Sequence, residues 1–450
     1  MSADTGNENA LSESRASDAE AETTPRIGIV GAGITGLSLT HSLRNHGVEP
    51  ITFEARDRPG GVVNSQEVDG HTLEVGPQRL RLSGPVAELV DELGLAPSVV
   101  EADSNIPLYV YARNDLRRVP LSLRTFLTTD LLSWRAKLRL LKEPLTESGK
   151  PSETAADLFT RKFGRETYEN LIGPLFGGIY GSDPARMPAR HALAGLMRLE
   201  ASQGSLLKPA VRRLVLGGES APAIAFESGN EQLPQAMYEA NRDHIHLDTP
   251  VETIREVEDG FELVADGEAV NVDDVVVTVS APAAAELLSD VAPDASCLAD
   301  LTYNPLAMVY LRADHDRAGL GYQVRHGESL RTLGVSWNGS AFGHGDLSRE
   351  GVHTCFLGGM ADGEILEQSD DFLGEIAREE FEAVMGCSAD VIDVVRPPEG
   401  FPAYDDTWDA LEDLNLPDGI HLATNYTSRM GVPSRVRLAR QLASRLANGR

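Results

Sequence analysis

Cysteine and long apolar runs are scarce in this sequence. The three cysteines, Cys297, Cys355 and Cys387, are far apart and show no Cys-x-x-Cys spacing, so neither a disulfide framework nor a zinc site is indicated. The 11 histidines show no metal-ligand spacing either, and we expect no bound metal. No uninterrupted apolar run approaches the ~18 residues of a membrane-spanning helix. The pattern favours a protein of a reducing compartment without a spanning helix.

Positive charge is scarce as well. Against 69 Asp and Glu residues the chain has 40 Lys and Arg residues, which gives a formal net charge of −29. Such a surface repels nucleic acid and anionic lipid, so no nucleic-acid partner is expected. Nearly all the cations are arginine, and an acid-rich, lysine-poor surface is typical of adaptation to a high-salt cytoplasm. An ordinary acidic soluble protein is the alternative.

The first 25 residues are rich in Ser, Ala and Glu and contain neither a basic start nor an apolar core. We interpret residues 1–25 as a disordered tail and not as a signal peptide. A cytoplasmic location is expected.

Residues 27–63 carry a nucleotide-binding pattern. A short apolar strand at 27–30 leads into Gly31, Gly33 and Gly36 with Gly-x-Gly-x-x-Gly spacing, and an apolar helical face follows. These glycines permit a tight turn, close approach of a pyrophosphate, and close packing of helix on sheet. A second strand, predicted at 50–53, ends in Glu54. A carboxylate there suits a ribose 2′-hydroxyl and repels a 2′-phosphate, which favours FAD or NAD over NADP.

The C-terminal part of the sequence shows a similar pattern of strand, glycine loop and helix. Residues 421–447 predict a short strand, a glycine-containing loop, and a helix beginning at Pro433 or Ser434. The N-terminus of that helix carries a partial positive charge. One such helix end suits the pyrophosphate of a dinucleotide, and the other suits a reactive ring that becomes anionic on reduction. A flavin dinucleotide has both groups.

At 450 residues the chain is longer than one core usually fills. We predict a nucleotide-binding domain from residues 26–101, 217–290 and 396–450, a second domain with an antiparallel sheet from 102–119 and 291–395, and a mostly helical domain from 120–216. Within the last, apolar residues near Trp134 alternate with basic ones. We interpret that stretch as a helix facing its own domain; a position on a membrane surface is the alternative.

Several segments in a fixed order resemble the amine-oxidase superfamily of FAD enzymes and, within it, the protoporphyrinogen oxidase family. Glu54 followed by Gly60-Gly61, with LEVGPQ at 73–78, carries the resemblance to the superfamily, and the glycine doublet is found across it. The segments that match the protoporphyrinogen oxidase family more specifically are GPLFGGIYGSDPARM at 173–187, GSLL at 204–207, YNPLAMVYL at 303–311, LGVSWNGSAFGHG at 333–345, LGGM at 357–360 and FPAYDDTW at 401–408.

The resemblance implies an α/β (α+β) fold with a Rossmann-like FAD-binding domain, a discontinuous antiparallel-sheet substrate domain and a helical insertion. It also implies sites for FAD and for a tetrapyrrole substrate. The implied FAD-binding residues are Gly31, Ala32, Gly33, Ile34, Thr35, Gly36, Glu54, Ala55, Arg56, Gly60, Gly61, Val62, Gly76, Pro77, Gln78, Val251, Asn425, Tyr426, Gly431 and Val432. The implied substrate-binding residues are Gly178, Arg325 and Phe342.

The family oxidises a porphyrinogen to a porphyrin by hydride transfer to flavin N5, with oxygen or another acceptor reoxidising the flavin. Because aromatisation drives the reaction, no dedicated base is obligatory, and no catalytic side chain is assigned. Family members from plants and animals place an arginine before the LYV strand to meet a substrate propionate, whereas this chain has Ile106. The basic residues nearest the matching segments are Arg79, Arg81, Arg113 and Arg325.

Several alternatives stay open at this point. The substrate is protoporphyrinogen IX or coproporphyrinogen III. Another flavin oxidase of this fold, an amine oxidase or carotenoid desaturase, is the second hypothesis, although Lys208 is the only lysine after Lys162. A tetrapyrrole-binding flavoprotein without turnover is the third. We expect a monomer or homodimer, with at most weak peripheral contact with a membrane.

Overall fold

The computed structural model describes residues 25–103, 106–215, 221–342, 351–398, 401–428 and 430–448, with only the backbone described at 179–180, 210 and 213–215. Except for Pro25, the predicted tail lies outside these residues, as do residues 343–345 of the LGVSWNGSAFGHG segment and Arg429 in the final loop. The strands are β1 Ile27–Val30, β2 Ile51–Phe53, β3 Ser65–Val68, β4 His71–Glu74, β5 Leu80–Arg81, β6 Val99–Glu101, β7 Tyr109–Ala112, β8 Asp115–Arg118, β9 Ala223–Phe226, β10 Ile245–His246, β11 Val251–Val257, β12 Gly260–Ala265, β13 Glu268–Val272, β14 Asp274–Val277, β15 Tyr303–Asn304, β16 Leu306–Arg312, β17 Gly321–Val324, β18 Gly334–Trp337, β19 Val352–Gly358, β20 Asp390–Val395, β21 Phe401–Pro402 and β22 Ile420–Leu422.

Helices make up most of the segment between β8 and β9, as the sequence predicts. The helices are α1 Ile34–Asn45, α2 Gly84–Glu92, α3 Leu123–Thr128, α4 Trp134–Leu140, α5 Ala155–Phe163, α6 Arg165–Thr167, α7 Gly173–Tyr180, α8 Ala189–Ala192, α9 Ala194–Gln203, α10 Leu207–Val215, α11 Gln232–Ala240, α12 Ala281–Leu287, α13 Asn338–Phe342, α14 Asp370–Met385 and α15 Val432–Ala447. A π-helical turn at Tyr168–Ile172 joins α6 to α7.

A five-stranded parallel sheet with the order β10-β2-β1-β14-β22 holds the start and the end of the chain together. Every residue of β1 and β14 is buried, as expected for parallel strands covered on both faces. Helices α1 and α15 pack together through an apolar cluster that includes Leu39, Leu43, Ala439 and Leu442. The first and last predicted strand–turn–helix units are therefore neighbours in space.

The antiparallel meander β11-β12-β13 packs against the sheet through a second apolar cluster. The fit is close at Gly28 in β1, where a Cβ atom would lie 2.4 Å from Cδ1 of Leu263. A larger residue at position 28 would push the meander off the sheet.

A seven-stranded sheet with the order β20-β16-β19-β18-β17-β7-β8 forms the second large layer. All its neighbouring pairs are antiparallel except β17 and β7, which are parallel. Strands from 109–118 and from 306–395 thus share one sheet. Helix α14 packs on it, with Leu373, Ala377 and Phe381 buried against the strands.

Three smaller sheets connect these layers: β3-β4, β5-β9-β6 and β15-β21. The mixed architecture matches the predicted fold class. The predicted domain boundaries themselves stay a prediction.

A network of ion pairs lies in the interior of the helical segment. Lys162 Nζ lies 2.8 Å from Glu143 Oε1, and neither side chain is exposed to solvent. Glu200 lies 3.2 Å from the same Nζ and also pairs with Arg161, which bonds Glu153 in turn. Glu143 further accepts hydrogen bonds from Ser205 Oγ and Leu206 N. These charges are satisfied within the protein and are located away from the glycine turn.

Candidate functional site

The turn after β1 has the shape that the glycine spacing predicts. Gly31 has φ +101°, which favours glycine, and its N–H donates to Phe53 O at 2.7 Å. A Cβ atom on Gly36 would lie 1.9 Å from Gly31 O. Gly31 and Gly36 are thus required by the turn and by the packing of α1 on β1.

Gly33 differs from its two neighbours in the motif. A Cβ atom built on Gly33 meets only one atom within 4 Å, the Cα of Gly61 at 4.0 Å. Helix α1 begins just after Gly33 with its residues Ile34, Thr35 and Gly36, and no side-chain hydrogen bond caps this end. The folded chain therefore does not need glycine at 33 for its own packing, whereas an anion approaching the N-terminus of α1 would need it.

Glu54 follows β2 and holds the glycine turn from the other side. Its Oε2 accepts from Ala32 N at 2.7 Å and its Oε1 accepts from Arg56 N at 3.0 Å. The Arg56 side chain is exposed, as is Ala55. A cavity of about 320 Å³ opens beside Glu54 and is lined by Val30, Gly31, Phe53, Glu54, Ala55, Pro250, Val251, Glu252, Val279, Ala283, Glu286 and Leu287. Glu54 and Val251, both predicted to bind FAD, thus line the same cavity.

The Gly60-Gly61 doublet lies directly against the glycine turn. Gly60 N donates to Ala32 O at 2.8 Å, and Gly60 pairs with Gly33 as an isolated parallel bridge. Both glycines have positive φ, +100° and +60°. Val62 next to them is 62% exposed. Because the doublet faces Gly33, a ligand beside Gly33 would contact both segments.

The segment 76–78 is fixed by contacts with several elements. A Cβ atom on Gly76 would lie 1.8 Å from Val62 O, and Pro77 O accepts from Asn230 Nδ2 at 2.8 Å. Buried Gln78 accepts at Oε1 from Asn338 Nδ2 and Thr354 Oγ1, both at 2.7 Å. Gln78 therefore joins this loop to α13 and β19.

The final loop contributes a second helix N-terminus. Gly431 has φ +111° and is exposed, and a Cβ atom there meets nothing within 4 Å among the described residues. Helix α15 begins at Val432, one or two residues before the predicted start at Pro433 or Ser434, with Pro433 in its first turn. Tyr426 is buried and Asn425 is partly buried. Two uncapped helix ends, an open glycine at each, and a carboxylate beside a cavity fit a dinucleotide such as FAD.

Sequence reasoning missed two residues of this region. Thr278 Oγ1 donates to Val30 O at 2.9 Å and to Gly31 O at 3.0 Å, so it braces the glycine turn. Its position directly after the apolar run of β14, equivalent to Gly31 after β1, was the available signal. Arg435 is buried in the first turn of α15, and burial lowers the pKa of its guanidinium to about 10. A charged residue on the apolar side of that helix was the signal there.

The predicted substrate-binding residues lie on different elements. A Cβ atom on Gly178 in α7 would lie 1.6 Å from Oε1 of Gln323 in β17, an atom that is buried without a hydrogen-bond partner in the described part of the chain. Phe342, at the end of α13, is 1% exposed and packs in an apolar cluster with Ala341, Ile106 and others. Gly178 therefore fits closely against the large sheet, and Phe342 lies in an apolar core.

Arg325 lies directly after β17, which ends at Val324. Its Nη1 donates to Glu328 Oε1 at 2.9 Å. Burial raises the pKa of Glu328, but hydrogen bonds from Arg113 N and from Arg325 outweigh that effect, so the pKa of Glu328 is lowered. The charge of Arg325 is thus already paired with a carboxylate of the same chain.

One group of side chains has the donor types of a metal site, although the sequence predicts none. His191 Nε2 lies 2.6 Å from Asp409 Oδ1, and Glu412 is adjacent. Arg190 pairs with both carboxylates, so a cation already neutralises them, and Asp409 and Glu412 are exposed. This cluster provides no argument for a metal ion.

The fold and the dinucleotide site define a class of proteins, the flavin-dependent oxidoreductases. The chain belongs to the flavin containing amine oxidoreductase family, which it matches over residues 34–445, and FAD is its cofactor. It is 24% identical over 442 residues to protoporphyrinogen oxidase 2, chloroplastic/mitochondrial, of Arabidopsis thaliana, covering 87% of each chain. It is 34% identical over 200 residues to coproporphyrinogen III oxidase of Staphylococcus aureus, which covers 41% of this chain and 42% of that protein.

The fold is also shared with a crystal structure from Exiguobacterium sp. 255-15, a protein provisionally named as a protoporphyrinogen oxidase. The TM-score is 0.78 and the identity 22%, over 95% of this chain and 99% of that one. At this identity the likeness shows the fold alone.

Proposed function

We propose that this chain oxidises a porphyrinogen, protoporphyrinogen IX or coproporphyrinogen III, to the porphyrin. The observation that carries the proposal is the match over 87% of its length to a plant protoporphyrinogen oxidase. The shorter match to a coproporphyrinogen III oxidase supports the same reaction on the substrate that has two more carboxylates. Both relatives act, by their names, on reduced tetrapyrroles.

FAD supplies the hydride acceptor when it is bound. The residues of this chain have the tasks of binding and positioning: Gly33 and the Gly60-Gly61 doublet would admit the pyrophosphate to the N-terminus of α1, and Glu54 would bind the ribose. The N-terminus of α15 would stabilise negative charge on the reactive ring. Because aromatisation of the macrocycle drives the reaction, the protein mainly holds the bridge carbon in place and excludes competing reactions.

Anaerobic mixing of the FAD-loaded protein with each porphyrinogen tests this proposal. Flavin absorbance and porphyrin fluorescence are followed together, with an amine and a carotenoid precursor as further substrates. Bleaching of the flavin with appearance of porphyrin supports the proposal, and the faster substrate identifies the physiological one. If the flavin stays oxidised with both porphyrinogens, the proposal is wrong; bleaching by the amine or the carotenoid precursor would then identify the other flavin oxidases. Readmission of air tests oxygen as the acceptor.

We also propose a weak contact with a lipid surface. Helix α4 buries Ala136 and Leu140 but exposes Trp134 and Leu138, so the helix only partly faces its own domain. Its neighbours in sequence expose further large apolar side chains, and we call the whole group the apolar patch: Leu121, Leu123, Leu127, Trp134, Leu138, Leu141 and Leu145. The exposed cations Arg124, Arg135 and Lys142 lie between these residues in sequence, as in a helix that lies on a membrane. In the part of the chain that the structure describes, no helix is long and apolar enough to cross one.

Flotation with vesicles that contain anionic lipid tests this contact. The double variant Trp134→Ser, Leu138→Ser is expected to lose binding, whereas Phe372→Ser, which removes an exposed apolar side chain on α14, is expected to retain it. If the patch instead joins two copies of the chain, the double variant changes the sedimentation behaviour without lipid. That outcome would replace the membrane contact with a homodimer.

The charge of −29 is the basis for a further proposal, that the protein works in a high-salt cytoplasm. Salt screens repulsion between surface carboxylates, so the unfolding midpoint is expected to rise steadily between dilute and molar KCl. A midpoint that falls or stays constant would indicate an ordinary acidic protein.

A further inference from the structure

Arg79 lies in the loop between β4 and β5, directly after Gln78. Its side chain is partly buried. Its hydrogen bond within the described part of the chain is a long one, from Nη1 to Leu320 O at 3.5 Å, and no carboxylate described there pairs with it. A partly buried guanidinium whose hydrogen bond is this long recovers little of the solvation it has lost, and a ligand with a well-placed acceptor would compensate for that loss.

The other three arginines near the matching segments are either exposed or paired with a carboxylate. Arg81 is exposed and donates to Ala221 O. Arg113 is exposed and donates to Asp130 O. Arg325 is partly buried and its Nη1 is paired with Glu328. Among these four, Arg79 is therefore the one that is partly buried and has no carboxylate partner in the described part of the chain.

The surroundings of Arg79 connect it with the candidate substrate residues. Leu320, whose carbonyl faces the guanidinium, packs in the apolar cluster that contains Phe342 and Ile106. Gln78, the residue before Arg79, is bonded to Asn338 at the start of the helix that ends in Phe342. These contacts fix the backbone of Arg79 next to the apolar cluster that contains Phe342. The Arg79 guanidinium therefore lies at the edge of that cluster.

Burial, assisted by the nearby charge of Arg81, lowers the pKa of Arg79 to about 10. The guanidinium is therefore still protonated at neutral pH. A carboxylate that accepts hydrogen bonds from this guanidinium would replace the water that burial excludes. The planar guanidinium also suits bidentate binding of a carboxylate.

We propose that Arg79 binds a carboxylate side chain of the substrate. It would replace the arginine that plant and animal members of the family have at the position of Ile106. The inference rests on the proposed function and narrows it: the ligand is an apolar macrocycle with a carboxylate at the edge that meets Arg79, and the apolar cluster around Phe342 lies beside that edge. The selectivity of the site then depends on a single, partly buried cation and not on a basic surface.

The test compares the FAD-loaded protein with the variants Arg79→Gln, Arg79→Lys, Arg81→Gln and, as control, Arg118→Gln, which removes an exposed arginine on β8. Binding of coproporphyrin III and of its tetramethyl ester is measured by fluorescence titration, and KM is measured for the porphyrinogen. Loss of a charged hydrogen bond typically weakens binding roughly 10- to 100-fold. Arg79→Gln is expected to weaken binding of the free acid by that factor and to raise KM, with little change for the ester. Arg79→Lys recovers part of the loss, and Arg118→Gln behaves as the parent protein.

The outcomes separate the two proposals. If the parent protein oxidises porphyrinogen and Arg79→Gln retains its KM and its preference for the acid over the ester, the role of Arg79 is wrong and the proposed function stands. Loss in Arg81→Gln alone would transfer the role to Arg81. If the parent protein neither binds porphyrin nor oxidises porphyrinogen, both proposals fail. Thermal unfolding of each variant identifies any loss that comes from misfolding. If Arg79→Gln misfolds, Arg79→Met, which also lacks the charge, takes its place, and an unchanged acid-to-ester ratio in that variant overturns the role of Arg79.

Discussion

Glu54 accepts a hydrogen bond from the backbone N–H of Ala32 at 2.7 Å. The bond joins the end of β2 to the turn between β1 and α1, so the carboxylate that is proposed to meet a ribose also holds the loop that is proposed to meet a pyrophosphate. One side chain thereby positions two parts of the candidate cofactor site.

Replacement of Glu54 is expected to weaken FAD binding more than one lost ligand contact would. Glu54→Ala removes the acceptor for Ala32 N and for Arg56 N, whereas Glu54→Gln keeps one carbonyl oxygen for the turn. We expect at least a tenfold loss of FAD affinity for Glu54→Ala, about 1.4 kcal/mol, and a smaller loss for Glu54→Gln. Titration of apoprotein with FAD, followed by flavin fluorescence, measures both, and Glu67→Ala on β3 is the control. Equal affinity in all three variants would show that Glu54 is not part of the site.

The glycines of the first turn are expected to separate cofactor binding from folding. In Gly33→Ala the new methyl group meets only Gly61 at 4.0 Å, so the apoprotein should unfold at nearly the same temperature while FAD affinity falls. In Gly36→Ala the methyl group would lie 1.9 Å from Gly31 O, so the apoprotein itself should be destabilised. Thermal unfolding of the two apoproteins is the measurement. A large loss of stability in Gly33→Ala would contradict this division of roles.

The buried pair of Lys162 and Glu143 gives a prediction for stability alone. Lys162→Met leaves Glu143 buried beside Glu200 without its cation, which typically costs about 3–5 kcal/mol. The double variant Lys162→Met, Glu143→Gln is expected to recover much of this, because glutamine carries no charge and its one carbonyl oxygen still accepts the hydrogen bond from Leu206 N. Urea unfolding at neutral pH measures both. A loss below about 1 kcal/mol in the single variant, the range of exposed pairs, would show that the pair is not buried in solution.

His353 is expected to make the protein less stable as the pH falls. Burial lowers the pKa of this side chain to about 4, despite the hydrogen bond between its Nε2 and Ala313 O, whereas an unfolded histidine has a pKa near 6.5. Between about pH 6.5 and pH 4 the unfolded chain binds a proton that the folded chain does not, so stability falls by up to about 1.4 kcal/mol per pH unit. His315, stacked on His353 with ring centroids 4.9 Å apart, has a pKa that burial also lowers.

Urea unfolding at pH 7.0 and 5.5 tests this effect. The variant His353→Gln keeps a donor for Ala313 O and does not titrate, so the difference in stability between the two pH values should shrink. An unchanged difference would mean that other groups, His315 among them, account for it.

The local elements of the nucleotide site could be predicted from the sequence because short-range rules determine them. The strand before Gly31 and the helix after Gly33 are found where the glycine spacing and the apolar pattern predict them. The last helix begins at Val432, close to the predicted Pro433 or Ser434. The cofactor roles of individual residues stay predictions, although the structure brings Gly33, Gly61 and Glu54 together.

The remaining features depend on contacts between distant segments. The parallel pairing of β7 with β17 joins Tyr109 to Tyr322, and neither segment specifies that partner through its own pattern. The pairing of Arg325 with Glu328 could not be distinguished from a substrate contact by sequence, since both need the same guanidinium. The exposure of Trp134 depends on how α4 packs against the rest of the protein. The alternation of apolar and basic residues along α4 does not predict that packing.

The order of strands in the parallel sheet has a consequence for the biosynthesis of the protein. Strands β1 and β2 leave the ribosome early, but their partner β14 comes from the middle of the chain, and β22 and α15 come from its end. An incomplete chain released before residue 420 lacks the β22 edge of the sheet and the second helix end of the candidate cofactor site. That site is therefore complete only when nearly the whole chain has been made, and the apolar β1 must be protected in the growing chain until its neighbours arrive.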